Sequence, residues 1–107
     1  MSDPILVDEE QLVMDLIVNA GQARSLYFEG LNLAKQGQFE SAEAKVKEAQ
    51  SFIKQAHQAQ TRLIGDDQGE GKVTMTLIMV HAQDHIMTAM LAGELISELI
   101  QLYRRLN

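Results

Sequence analysis

The stretch Val80-His81-Ala82-Gln83-Asp84-His85 lies inside a run, Val73 to Gly93, in which Asp84 is the only charged residue and the flanks are almost wholly apolar. An ionised carboxylate costs several kcal/mol to remove from water unless it is paired, metal-bound or protonated. Asp84 and its two histidines therefore need partners, and the run itself must be a core element. It is long enough to span a bilayer, but Asp84 at its centre would cost about 2.5–3.5 kcal/mol there, and His81, Gln83 and His85 would add to that. The reading is a helix buried in protein, with no insertion into a membrane.

Working outward, the only proline is Pro4, and glycines mark two breaks, one at Gly37 and one over Gly65 to Gly71. The intervals are helical in period. Val13, Ile17, Ala20, Tyr27, Leu31 and Ala34 follow a three-four spacing, as do Phe39, Ala42, Val46, Ala49, Ile53, Ala56 and Leu63. The third interval carries more than one apolar stripe, one through Leu77, His81, Asp84, Thr88, Leu91 and Leu95, another through Ile78, Ala82, His85, Ala89, Ala92, Ile96, Leu99 and Tyr103. A helix apolar on more than one side must be covered on more than one side.

The expected architecture is all-α, a single domain over residues 1–107 folded as an elongated antiparallel three-helix bundle. Residues 1–7 are expected to be flexible, helix one to cover about 8–35, helix two about 39–64, a loop 65–71, and helix three about 72–106. At ~1.5 Å per residue helix three would be about 50 Å long, too long for a compact globule of this mass. Its spare apolar surface predicts a homo-oligomer joined through helix three. Gly21, Gly30 and Gly93 inside helices each cost about 1 kcal/mol relative to alanine, which predicts close helix contact at those points. The segment Leu33 to Lys45 has the look of a tetratricopeptide hairpin turn, but no second copy follows at the required period.

Composition narrows the function. The chain has 107 residues with no cysteine, so disulfides and thiolate metal sites are excluded. Fifteen acidic against nine basic residues give a net charge of −6, and no basic cluster extends beyond Arg104-Arg105, which argues against nucleic-acid binding. The N-terminus lacks the basic start and apolar core of a signal peptide, so the cytoplasm is the expected location.

On a helix, His81, Asp84 and His85 fall on neighbouring faces within one turn. They could be core polar groups bonded to one another. His-x-x-Asp-His also approximates the inverted zinc-hydrolase motif, but aspartate is one methylene shorter than the glutamate of that motif and reaches wrongly. A third reading is that one imidazole accepts a phosphoryl group, since neutral imidazole is a good nucleophile and its phosphoramidate stays reactive. Spacing alone does not choose among these.

Taken together, Ile17-Val-Asn-Ala-Gly-Gln-Ala-Arg-Ser25, Ala34-Lys-Gln-Gly-Gln-Phe39, Ala56-His-Gln-Ala-Gln-Thr-Arg-Leu-Ile64, Gly69-Glu-Gly71 and Val80-His-Ala-Gln-Asp-His-Ile-Met87 resemble the lactose/cellobiose-type IIA components of the bacterial sugar phosphotransferase system, diacetylchitobiose members included. The resemblance covers nearly the whole chain. It implies a three-helix subunit assembled as a homotrimer, in which His81 takes phosphate from the phosphocarrier HPr and passes it to a cysteine of the IIB component. It also implies that Asp84 stands on the trimer axis, where three copies share a divalent cation, usually Mg²⁺. Three converging carboxylates would repel one another, and a hard cation removes the conflict. His85 is expected to support the active ring or fill a subunit contact, His57 to be structural or exposed, and Arg24 to steady a phosphate or form an ion pair. The sugar, whether cellobiose, diacetylchitobiose or lactose, is not legible, because IIA does not touch it. The competing readings are a non-catalytic helical adaptor and a binding protein regulated by histidine phosphorylation.

Overall fold

The structure, a computed structural model, describes residues 4–107, with side chains from residue 9 onward. Three helices account for nearly all of it: α1 (Pro4–Lys35), α2 (Phe39–Asp67) and α3 (Leu77–Leu106). Helix one begins at Pro4 rather than Asp8, since proline lacks only an N–H that the first helical turn leaves unbonded anyway. The expected flexible stretch is therefore helical over 4–7, and residues 1–3 lie outside the described residues.

The α1–α2 reversal takes three residues. Gly37 adopts φ 79°, its N–H donates to the Ala34 carbonyl at 3.0 Å, and the Gln38 N–H donates to the Leu33 carbonyl at 2.9 Å. That pair of bonds closes the orphan carbonyls of α1, and the left-handed φ suits glycine. The second connection differs from its expected bounds. Helix α2 runs on to Asp67, whose carboxylate then accepts N–H bonds from Val73 at 2.9 Å and Gly71 at 3.3 Å. Residues Lys72 to Met75 are held in the loop by these bonds, and α3 starts only after Thr76, whose hydroxyl accepts the Met79 N–H at 3.2 Å.

Helix α1 lies between the other two, which meet each other less. The core is lined with small residues: Ala20, Ala23, Ala34, Ala42, Ala49, Ala56, Ala82 and Ala89 are fully buried, and the only large side chains sealed to that degree among the described residues are Leu16 and Ile86. Small side chains let the helix axes approach closely. At Gly30 a Cβ would come within 3.1 Å of the Ala42 carbonyl oxygen, so the backbone of α2 itself occupies the space. Ion pairs between Glu29 and Lys45 and between Glu43 and Arg104 tie the helices at the surface. Such exposed pairs add at most about 1 kcal/mol each, so packing carries the fold.

Helix α3 is long and apolar enough to cross a membrane by length and composition. Its inner face, Met79, Ala82, Ile86, Ala89, Gly93, Ile96 and Ile100, is instead buried against the bundle. The outer stripe, Leu77, Leu91, Leu95, Leu102 and Leu106, is open in the single subunit.

Candidate functional site

The middle of α3 carries the three polar groups singled out above. Their burial differs from the expectation: among the described residues no polar or charged side chain is buried in the subunit. His81 and Asp84 are exposed and His85 is partly covered. The reason is geometric. Helix α1 and, to a lesser extent, α2 cover only one flank of α3, and the His81–Asp84 stripe falls on the other.

The two imidazoles act as a pair. Four residues apart, they stack with ring centroids 5.6 Å apart and planes 15° from parallel. The His85 ring lies over α1 at Gly21, where an added Cβ would sit 3.3 Å from His85 Nε2. Gly21 was expected to mark helix contact; what it accommodates is a side chain. Neither ring has a side-chain hydrogen bond among the described residues, so both keep nitrogen lone pairs for chemistry. Met14, Val18 and Phe28, all exposed, share Gly21's face of α1 by their spacing.

Asp84 has no ion pair or side-chain hydrogen bond among the described residues. Its carbonyl, with that of His85, accepts the Thr88 hydroxyl at 2.9 and 3.2 Å. No three His, Cys, Asp or Glu side chains gather into a metal cage among the described residues of one subunit. Arg24 pairs with no acid among the described residues; its guanidinium lies over the Phe28 ring, 5.9 Å from the centroid. His57 is exposed on α2. One link was not foreseen from sequence: Gln60 of α2 donates its amide to the Gln83 carbonyl oxygen at 2.9 Å, holding α3 against α2 on the side away from His81. Two glutamines at unrelated positions carry no local signal for such a bond.

The His81 imidazole is thus exposed and stacked on a second ring, on a helix face whose neighbours include the open side chains of Leu77, Leu91 and Leu95. Residues 11–104 match the family described as the PTS system, lactose/cellobiose specific IIA subunit. The chain belongs to this family. It is 53% identical over 98 residues to the PTS system N,N'-diacetylchitobiose-specific EIIA component of Escherichia coli K12, covering 92% of this chain and 84% of that protein. Its fold is similar to the crystal structure of the PTS cellobiose-specific enzyme IIA from Bacillus anthracis, with TM-score 0.88, 38% identity, and coverage of 99% and 94% of the two chains. It is also similar to the IIA(chitobiose) chain solved in complex with HPr from the N,N'-diacetylchitobiose branch of the Escherichia coli system, with TM-score 0.79, 51% identity, and coverage of 92% and 95%. This IIA chain is thus a phosphotransferase-system component of the chitobiose, cellobiose and lactose type.

Proposed function

We propose that His81 is the phosphoryl acceptor, that HPr is the donor, and that a IIB cysteine is the next acceptor, during cytoplasmic uptake and phosphorylation of a β-linked disaccharide. The observation that carries this is the His81 imidazole, exposed on an apolar helix face and without a hydrogen bond among the described residues. A relative solved with HPr supports the donor. In the first step a ring nitrogen of His81 bonds to phosphorus as the bond to the donor breaks. In the second, a IIB thiolate bonds to phosphorus as the bond to His81 breaks, which returns the imidazole. Neither step needs an acid or base beyond the exchanging nucleophiles. Positioning and charge stabilisation are the main requirements, which suits a site with few titrating groups. Of the three sugars, diacetylchitobiose is favoured by the more similar relative.

Asp84 and the open stripe of α3 complete the proposal at the level of assembly. Three subunits joined along that stripe bring three Asp84 carboxylates to one axis, a set of hard oxygen donors suited to Mg²⁺ or a similar divalent cation. The cation would neutralise the converging charge there. An exposed carboxylate with no partner among the described residues of its own subunit fits that donor set.

The test is intact mass after incubation with phosphoenolpyruvate, enzyme I and HPr. One phosphoryl group is expected on the native chain, acid-labile and alkali-stable, and it should leave when IIB is added. His81→Gln should take none while keeping its helicity, because glutamine cannot form the phosphoramidate. His85→Gln should still be labelled. Labelling of the His81 variant at the native rate would refute the assignment.

A further inference from the structure

The stacked histidines rest on a position that has no functional group at all. Gly21 lies mid-helix in α1, where glycine is a poorer helix former than alanine, and its φ is ordinary. Neither turn nor backbone strain calls for glycine there. Nor does the backbone of another helix crowd it: the sole atom within 4 Å of an added Cβ, outside the local helix, is His85 Nε2 at 3.3 Å. That is tighter than ordinary contact, so the imidazole would have to give by a few tenths of an ångström. The same ring stacks on His81, with centroids 5.6 Å apart, so its displacement bears on the His81 ring as well.

We propose that Gly21 is a positioning residue: the space it leaves on α1 seats the His85 ring, and that ring, stacked on His81, sets the direction in which the His81 nitrogen meets phosphorus. This rests on His81 being the nucleophile. Gly21 touches neither the phosphoryl group nor a reacting atom and acts through two imidazoles in series. In-line transfer is sensitive to such displacements, because small errors of approach cost large factors in rate.

Gly21→Ala separates this role from a structural one, since alanine favours the helix and the bundle should melt no lower than native. The ring-proton resonances of both His85 and His81 should nevertheless shift. The kcat for phosphoryl acceptance from phospho-HPr should fall roughly tenfold, with KM unchanged because the docking surface is intact. Removing the obstructing ring should remove the effect: Gly21→Ala placed in a His85→Ala background should be no slower than His85→Ala alone. Unshifted His81 resonances, a native kcat, or losses that multiply in the double variant would each overturn the proposal. If the native chain accepts no phosphate, the reading of His81 fails, while the resonances still report whether Gly21 sets the pair.

Discussion

No side chain fits at position 93 while Tyr27 keeps its place. An added Cβ would fall on the Tyr27 ring, 2.7 Å from its hydroxyl oxygen, so Gly93 is the seat of a buried tyrosine. Gly93→Ala is expected to destabilise the bundle by about 1–3 kcal/mol through overpacking, despite the better helix propensity of alanine. A urea midpoint equal to the native one would refute that account. The phenol also links stability to pH. Burial, assisted by the Glu94 carboxylate, raises its pKa above the ordinary 10.0. The fold thus favours the protonated form: its contribution is complete below about pH 10 and is lost as pH rises through the higher folded-state value. Urea melts between neutral pH and strongly alkaline pH should show that loss, and Tyr27→Phe should lessen it.

Each helix was legible to the degree that its determinants are local. Gly37 ends α1 by a left-handed φ that only glycine adopts cheaply, and the break was evident for that reason. Gly37→Ala is expected to cost about 1 kcal/mol, read as a lowered thermal midpoint with the same helical content. The start of α3 was misplaced by five residues because its determinant is remote in sequence: the Asp67 carboxylate captures the N–H groups of Gly71 and Val73, and only then does Thr76 cap the helix. The two stripes of α3 were both visible, but periodicity does not say which one faces inward. Ala82, Ala89 and Ile96 are buried, whereas Leu91 and Leu95 on the His81–Asp84 stripe are open. The candidate residues could thus be named from the sequence, while their exposure depended on where α1 lies. The pairing of His85 with Gly21 depended on it equally.

The whole molecule is drawn out to 58 × 23 × 19 Å, with a radius of gyration of 16.5 Å. A compact chain of this length would have about 13 Å. Elongation leaves one long side of α3 uncovered, and the proposed trimer is the assembly that would cover it. Sedimentation equilibrium at micromolar concentration should return three times the 11.9 kDa subunit mass. Chelation should loosen that assembly. Asp84→Leu should instead leave it trimeric and metal-free, because leucine packs on an axis without repulsion. A native protein that sediments as a monomer, or one that holds no divalent ion while its aspartates are protonated, would remove the trimer or the shared cation respectively.

The brevity of the two connections has a consequence in time. A three-residue reversal joins α1 to α2, the pair in widest contact, and most contacts in so helical a chain are local, although α3 packs mainly back on α1 rather than on its chain neighbour α2. Helical proteins rich in local contacts fold within microseconds to milliseconds, before the subunits of the proposed trimer would meet at cellular dilution. On the proposal of a trimer, each newly made chain therefore passes through a finished monomer whose leucine stripe faces water. The solubility of that short-lived species depends on the acidic surplus of the chain, because subunits of like charge repel before their apolar faces touch.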